Sequence, residues 1–593
     1  MRYFRVAACA IAAALVSCLG GAASAASNLS VALIWRVPAP QATSADVQPI
    51  EAGIVALGFI APQLDALARH PGAKVTLALD PVFVDALQRA AQGSDALAGL
   101  GAGALRPSDP RTNELLESLA TDVVPSVDLQ SRKAASRFLA EAAEARLILM
   151  GSTAANFTHA DDVDFVANAL LLSMQSSGYA SDEVDLLDRT TLSSEDLGAV
   201  SRDFATACQD VLQRLRQDAR AGTVELAALP AYEPILPLVI DAAGRDQRVP
   251  FTVAFSASSD ATAAIDEGLS AVASLDPTHG AAGVVSPSGA YDDETAALLQ
   301  ARHAAYAVFS ERVVKASVGA AAAAVADARG AAYRAYLMET TKTATIPIFF
   351  CSDTASTAID SQPLRSPATS MADRLRLAVR AALDATQGQG ASVVVLCLPA
   401  TGSILHRQDR AAALDAIAAA LASGVERGTT PRDFLATDPP TAPTYGYEAA
   451  SELGDFSLWM GSANQASMWN ALDAARTAAG GDSAVANAAT RDALLQAESG
   501  RWFLALALAQ PQYLTNGALA QFRDLITRIY HSAGKDAPRT IAPVKLGTPS
   551  PAPLTTPAAR PSPVPTASPS PAAGTSAPPG TPSPSPSPGP SHA

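Results

Sequence analysis

The chain has 593 residues, 49% of them hydrophobic, and a formal net charge of −15. This length exceeds one ordinary domain and allows a large buried core. The negative charge disfavours binding to nucleic acid or to anionic membrane surfaces, and no basic run interleaved with aromatic residues occurs. The composition therefore indicates a globular protein and excludes the nucleic-acid-binding class.

The first residues are typical of an export signal. Arg2 and Arg5 precede an apolar run from Val6 to Val16 that is too short to span a bilayer. Two processing sites remain open: cleavage after Ala25, which makes residues 1–25 a signal peptide, and lipidation of Cys18, which follows a bacterial lipobox-like leader ending at Ser17. The expected location is the periplasm, the extracellular space or the cell envelope, with membrane contact only through a lipid on Cys18.

Apolar β-branched runs alternate with helical periodicity along most of the chain. Helices are expected over residues 50–69, 81–91, 261–274, 292–302, from 310 to about 337, and 370–386. Expected strands cover residues 30–35, 74–79, 148–151, 223–226, 251–255, 283–285, 305–309, 345–351 and 391–398. This alternation predicts an α/β fold with a parallel (β/α) barrel over residues 28–440.

The pattern changes beyond the predicted barrel. Residues 460–530 show helical periodicity without strand signals, so residues 445–537 are predicted to form a helical domain with Trp459, Trp469 and Trp502 in its core. Residues 546–593 are rich in Pro, Ser, Ala, Thr and Gly, a composition that cannot build a core. A disordered Pro/Ser-rich tail is expected there.

Cysteine and histidine patterns favour no metal or other cofactor. Outside the leader, Cys208, Cys351 and Cys397 are far apart and odd in number, so buried apolar cysteines are expected, with one pairing left open. The cluster from His159 to Asp164 lacks the spacing of metal ligands and is interpreted as a solvated loop or a helix start.

The stretch from Gly222 to Leu238 carries the most informative polar residues. A predicted strand is followed by three prolines, which stiffen the next loop, and Tyr232 and Glu233 stand between them. In α/β barrels the loops after the strands handle the ligand. Tyr232 and Glu233 are therefore candidate binding residues.

Several motifs resemble those of glycoside hydrolase family 57, which includes α-amylases, 4-α-glucanotransferases and branching enzymes. The stretch from Gly222 to Leu238 is similar to the family's G-x-V-E-L strand and Y-H-P-I-L-P-L loop, with Glu233 in the place of the histidine. Further similar motifs occur in order at residues 34–40, 75–87, 283–290, 349–353, 398–402, 456–472 and 497–503. The resemblance implies a (β/α)7-type barrel followed by a C-terminal α-helical domain.

The same resemblance implies where catalytic groups would stand. Ser288 occupies the position of the family's nucleophilic glutamate, and Ser352 that of the acid, unless a one-residue slip assigns it to Asp353. Arg36 and Pro38 replace the histidines of the family's L-W-H-x-H-Q-P motif. A retaining glycosidase needs two carboxylates about 5–5.5 Å apart, so these replacements indicate degenerate chemistry.

Each remaining candidate has two interpretations. Glu225 and Glu233 either form a new carboxylate pair or serve structure, with Glu225 bonded to a loop backbone and Glu233 solvated or paired with Arg36. Asp80 either faces the pocket or caps the helix that starts at Pro81, and Trp35 either stacks on a sugar or lies in the core. The candidate substrate-binding residues are Trp35, Arg36, Asp80, Tyr232 and Glu233.

Two functions of different class follow. In the first, the chain is a catalytically degenerate member of carbohydrate metabolism that binds α-glucan or envelope polysaccharide, or serves a structural role. In the second, it is an active hydrolase or glucanotransferase that uses relocated carboxylates from Glu225, Glu233 and Asp353. The sequence leaves open whether the protein is an enzyme.

Overall fold

A computed structural model describes residues 29–541 of the chain apart from 94, 102–114, 116–118, 120–157, 180–183, 190, 243–252, 323–330, 342–343, 365, 387–391, 424–426, 442, 445–446, 509–511 and 540. The predicted leader of residues 1–25, the strand expected at residues 148–151 and the tail of residues 546–593 lie outside the described residues. The described residues belong to one compact unit.

Parallel strands close a barrel in this part of the chain. The strands are β1 (Leu29–Val37), β2 (Val75–Leu79), β3 (Val224–Ala228), β4 (Val284–Val285), β5 (Ala307–Ser310), β6 (Tyr336–Thr341), β7 (Ala344–Cys351), β8 (Ser392–Pro399), β9 (Gly428–Thr429) and β10 (Pro443–Thr444). Strands β8, β1, β2, β3, β4, β5 and β7 pair in parallel in that order, and β7 pairs back to β8. The prediction of a (β/α)7 barrel is confirmed.

The helices surround the barrel and continue beyond it. They are α1 (Gln48–Val55), α2 (Ala61–Arg69), α3 (Pro81–Ala90), α4 (Asp95–Gly101), α5 (His159–Ser176), α6 (Ser194–Ala221), α7 (Leu236–Asp241), α8 (Ser258–Leu275), α9 (Asp293–Ala301), α10 (Glu311–Ala322), α11 (Asp353–Asp360), α12 (Ser370–Ala385), α13 (Arg410–Ala422), α14 (Pro431–Thr437), α15 (Ser457–Met460), α16 (Ala463–Ala479), α17 (Ala488–Ala497), α18 (Gly500–Ala507) and α19 (Gln512–Ser532). A π-helical turn, Ala56–Ile60, joins α1 to α2.

The start of α5 agrees with the interpretation of the His159 cluster. Thr158 is the N-cap of this helix, and it exchanges hydrogen bonds with Asp161 in a capping box. The cluster of histidine and carboxylates is therefore the first turn of a helix.

Strand periodicity decides which residues face the barrel interior. Ala32 and Ile34 lie in the interior core together with Ala78, Ala227, Val308 and Phe349. Because side chains alternate between the two faces of a strand, Arg36 continues the inward row of β1 at its carboxyl end. Trp35 consequently points outward, and it packs edge-on against Phe59 with 5.0 Å between ring centroids.

Two strand predictions are corrected by the structure. Of the strand expected at residues 251–255, the described residues from Val253 onward form no strand, because Phe255 packs against Trp469 at 5.0 Å instead of pairing in the sheet. The helix expected to run to about residue 337 instead gives way to β6, which pairs antiparallel with β7.

A disulfide joins β7 to β8. Cys351 and Cys397 are bonded with 5.7 Å between their Cα atoms, so the pairing left open by the sequence is the one that forms. Between these two strands the structure has the register pair Cys351–Val395, so this seam, like that between β3 and β4, has a short pairing. Cys208 is a free, buried thiol in α6, and burial raises its pKa.

The helices from α15 to α19 pack around the predicted tryptophans. Trp459, Trp469 and Trp502 are buried, and Trp469 stacks on Phe503 with 4.1 Å between ring centroids. The interpretation of these residues as core anchors is confirmed. The boundary of a separate helical domain at residues 445–537 stays a prediction.

One helical stretch in the described part of the chain, Gln48–Arg69, is long and apolar enough to cross a membrane. Most of it is buried inside the protein, as in the core helix of a globular domain.

Candidate functional site

Polar side chains converge where the parallel strands end. Arg36 is at the carboxyl end of β1, Asp80 follows β2, Glu233 follows β3, Ser288 follows β4 and Asp353 follows β7. The carboxyl ends of all strands in such a barrel meet at one mouth. The structure thus brings together most of the residues that the sequence singled out.

Arg36 forms an ion pair with a residue that the sequence analysis missed. Its Nη1 lies 3.2 Å from Oε2 of Glu452, in the loop that leads from the barrel to the C-terminal helices. Burial alone would lower the pKa of Arg36, but the carboxylates of Glu452, Glu233 and Asp353 together raise it. Arg36 is therefore a positive charge placed among three carboxylates of the mouth.

The loop that carries Glu233 has an unusual backbone. Tyr232 and Glu233 both have positive φ, at 61° and 52°, a conformation costing about 1–3 kcal/mol for a non-glycine residue. Asp80 accepts the Tyr232 backbone N–H at 2.8 Å, and the Tyr232 hydroxyl donates to Asp492 at 2.6 Å. These bonds from the barrel and from α17 hold the loop in this conformation and keep Glu233 at the mouth.

Glu233 is a partly buried carboxyl group that lines the small cavity of the mouth. Burial raises the pKa of Glu233, and the negative charge of Glu452 raises it further. The positive charges of Arg36 and Arg501 lower this pKa, but the effect of burial is larger. The hydrogen-bonded partner of Arg36 is Glu452, while Glu233 is partly exposed at the small cavity and interacts with Arg36 electrostatically.

Ser288 supports the loop of Glu452. It has φ 50° and ψ 22°, and its carbonyl oxygen accepts the backbone N–H of Glu452 at 2.8 Å. The next residue, Gly289, also has positive φ, and a Cβ there would lie 2.7 Å from Ser310. The turn after β4 is therefore shaped to present a carbonyl group to the neighbouring loop.

The structure separates the two candidates for the acid position. The Ser352 side chain is buried and donates to Oε2 of Glu311 at 3.3 Å, whereas Asp353 lines a cavity at the mouth. Ser310 donates a hydrogen bond to Asp353. Burial raises the pKa of Asp353 to about 6, with Glu311 and Glu452 adding to the effect and Ser310 and Arg36 opposing it.

The raised pKa of Asp353 predicts a pH dependence of stability. The folded group, with its pKa of about 6, holds its proton more tightly than an ordinary aspartate with a pKa of 3.8. Its stabilising contribution is present below the lower pKa and is lost as the pH rises through the higher one. In Asp353→Asn the free energy of unfolding should therefore fall less between pH 4 and pH 7, by about 1–2 kcal/mol. The difference is no larger because the cavity is open to solvent, which screens the charge. Urea unfolding of both proteins from pH 4 to 7 measures this, and parallel curves would contradict it.

Glu225 belongs to the opposite end of the barrel. It is the second residue of β3, where Tyr306 Oη donates to it at 2.8 Å and the Arg432 backbone N–H at 3.3 Å. Burial raises its pKa although these donors oppose the shift. Glu225 therefore serves the barrel floor, and the structure does not bring it to Glu233 as a carboxylate pair.

Two further candidates have structural roles. Trp35 is fully buried against Phe59, so the expectation that it stacks on a sugar is corrected. Asp80 is the N-cap of α3 and accepts the Val82 N–H at 2.8 Å. Burial and the nearby Glu233 raise the pKa of Asp80 well above its ordinary value. Asp80 thus shapes the site by holding Tyr232.

The mouth contains two adjoining cavities. The small cavity, of about 260 Å³, is lined by Arg36, Tyr232, Glu233, Ser288, Glu452 and Arg501 among others. The large cavity, of about 1360 Å³, is lined by Arg36, Arg312, Asp353, Asp360, Glu448 and Glu452 among others. Both are rich in groups that donate or accept hydrogen bonds, and no set of three or more His, Cys, Asp or Glu side chains placed to hold a metal ion occurs among the described residues.

Solved structures with a similar fold include two that are branching enzymes by their names. The chain is similar to a GH57-type branching enzyme from Pyrococcus horikoshii, with 13% identity, a TM-score of 0.50, and 85% of this chain and 89% of that chain covered. It is equally similar to a GH57 branching enzyme from Thermococcus kodakaraensis, with 13% identity, a TM-score of 0.50, and 85% and 90% covered. The fold is GH57-like. No protein-family model and no curated protein matches the chain.

Within this GH57-like fold, the sequence missed two site residues. Glu452 lies 416 positions from Arg36 and belongs to no resembled motif. Arg501 replaces an aspartate of the resembled motif at residues 497–503, and it lines the small cavity with Glu233 and donates to Gln41 at 3.1 Å. Its guanidinium also lies 4.1 Å from the ring of Trp502. The signal for Arg501 was a charge reversal within a similar motif, whereas Glu452 had no local signal.

Proposed function

We propose that this protein is an exported, carbohydrate-binding relative of the GH57-fold enzymes that no longer performs their double-displacement chemistry. The observation that carries the proposal is Ser288, which stands at the strand end where the resembled motif has its nucleophilic glutamate. Its backbone supports Glu452, and among the described residues that line the small cavity there is no histidine or lysine to activate its hydroxyl.

The chemistry of the two cavities supports a sugar as the ligand. A sugar hydroxyl both donates and accepts hydrogen bonds, and the walls offer guanidinium donors at Arg36 and Arg312 beside carboxylate acceptors at Asp353 and Glu452. One of the structural relatives was crystallised in complex with glucose. An α-glucan is therefore the first ligand to test, and an envelope polysaccharide is the second.

A second candidate function is hydrolysis or glucanosyl transfer through relocated carboxylates. Its support is the pair of mouth carboxyl groups with raised pKa, Asp353 and Glu233, since a general acid needs a pKa near the working pH. Arg36 interacts electrostatically with both of these groups and with Glu452. In this candidate Asp353 is the acid, and Glu233 or Glu452 assists water.

Binding and turnover measurements distinguish the two functions. We expect glucose and linear malto-oligosaccharides to bind in calorimetric titrations, with no new reducing ends and no change of chain length on prolonged incubation. Glu233→Gln should weaken binding about tenfold, because it removes a charged acceptor from the small cavity. The control is Asp373→Asn, because Asp373 is an exposed residue of α12 that lines neither cavity. Turnover that Asp353→Asn abolishes would contradict the binding-protein proposal and favour the second candidate.

Export is also part of the proposal. The leader and the Cys351–Cys397 disulfide support it, because disulfides persist in oxidising compartments. Mass spectrometry of the mature amino terminus separates cleavage after Ala25 from a lipid on Cys18, and an intact Met1 would refute export.

A further inference from the structure

The two cavities at the mouth share a wall that contains an ion pair. Arg36, Glu452 and Pro399 line both the small and the large cavity. Nη1 of Arg36 and Oε2 of Glu452 are 3.2 Å apart. A ligand that extends from one cavity into the other must therefore pass this pair, which we name the crossbar.

Backbone contacts hold both ends of the crossbar. The carbonyl oxygen of Arg36 accepts the Ala400 N–H at 2.8 Å, which ties β1 to the residue after β8. The Glu452 N–H donates to Ser288 at 2.8 Å, and a tight turn joins the Ser451 N–H to the Gly454 carbonyl at 2.7 Å. The two side chains thus meet because their backbones are positioned independently of the ion pair.

Stability alone does not account for the crossbar. The side chains of Arg36 and Glu452 are 17% and 28% exposed, and partly solvated ion pairs contribute little to folding. A carboxylate at this point also adds negative charge beside Glu233 and Asp353, whose pKa values it raises. Its structural consequence is the separation of the two cavities.

The cavity sizes indicate what the separation does. Ligand pockets commonly measure about 300–1,000 Å³. The small cavity, at about 260 Å³, has room for a single sugar ring, whereas the large one, at about 1360 Å³, has room for several. We infer that the Arg36–Glu452 crossbar is a specificity device that limits how many sugar units of an oligosaccharide the mouth can hold. This inference rests on the proposed carbohydrate-binding function.

Removal of the crossbar should extend the length dependence of binding. Calorimetric titration with glucose and linear malto-oligosaccharides of two to seven units is expected to show that wild-type affinity stops rising once the large cavity is filled. In Glu452→Ala the affinity should continue to rise, with a gain of about tenfold for the longest chain. Arg36→Ala, which removes the other end of the crossbar, should do the same.

A control is available outside both cavities. Asp373 of α12 is exposed and lines neither cavity, so Asp373→Asn should keep the wild-type plateau. Oligosaccharide binding with the same length dependence in all four proteins would overturn the crossbar inference and leave the proposed function standing. No binding of any oligosaccharide by any of them would overturn both.

Discussion

Replacement of Arg476 by alanine should destabilise the protein by about 3–5 kcal/mol, because it leaves a buried carboxylate without its cation. Arg476 in α16 donates to both carboxylate oxygens of Asp260 in α8, at 2.8 and 2.9 Å, and Asp260 is fully buried. Urea unfolding followed by tryptophan fluorescence measures the loss. The pair connects a C-terminal helix to a helix of the barrel.

The same helix of the barrel provides a control pair. Arg302 contacts Asp266 of α8 with two bonds of 2.6 and 2.7 Å, but both side chains are about two-fifths exposed. Because solvent screens such pairs, Arg302→Ala should cost only about 0.2–1 kcal/mol. Equal losses for the two substitutions would contradict the assignment of Arg476 as the cation that neutralises a buried charge.

The double substitution Cys351→Ser, Cys397→Ser should cost about 4 kcal/mol. The disulfide closes a segment with a sequence separation of 46, and a cross-link of that span restricts the unfolded chain by about this amount. The effect should be concentrated at the barrel seam, where β7 and β8 share the register pair Cys351–Val395. Chemical denaturation midpoints in oxidising buffer compare the two proteins.

Reductant separates the disulfide from other effects of the substitutions. A strong reductant should lower the wild-type midpoint to that of the double variant and leave the variant unchanged. Cys208→Ala, at the buried free thiol in α6, should not alter the response to reductant. A wild-type midpoint insensitive to complete reduction would refute a stabilising role for the bond.

The part of the chain after residue 445 contributes directly to the mouth of the barrel. Glu452 precedes α15 and reaches Arg36, while Asp492 in α17 holds the Tyr232 hydroxyl. Gly500, at the start of α18, donates its N–H to the Glu233 carbonyl at 3.4 Å. The mouth is therefore built jointly by the barrel and the C-terminal helices.

Errors in the strand assignments have a common physical cause. The run from Phe251 to Phe255 has the alternation of a strand, but Phe255 is buried against Trp469 of a C-terminal helix. Alternating apolar residues report burial, and burial against a helix leaves the same signal as burial in a sheet. Conversely, β6 (Tyr336–Thr341) ends in three polar residues and pairs with one side of β7, so its sequence lacked the continuous apolar run of an interior strand.

The two carboxylates in the stretch from Gly222 to Leu238 show the limit of local interpretation. Glu225 and Glu233 are eight positions apart, and the sequence analysis allowed them to form a pair. Three strand residues follow Glu225 before β3 ends, and at roughly 3.3 Å per residue this alone moves it about 10 Å from the mouth. The strand expected over residues 223–226 places Glu225 near its carboxyl end, whereas β3 continues to Ala228 and leaves Glu225 at the barrel floor, where Tyr306 and Arg432 bind it.

The sequence by itself determined the seven parallel strands of the barrel and the proline-stiffened loop that presents Glu233, because these depend on periodicity and proline within a few residues. Only the tertiary structure decided that Cys351 pairs with Cys397 and that Arg36 meets Glu452. Both contacts join distant segments, and closure of the barrel and the return of the loop before α15 bring them together. The local pattern around such residues is compatible with many partners, and the packed fold selects one.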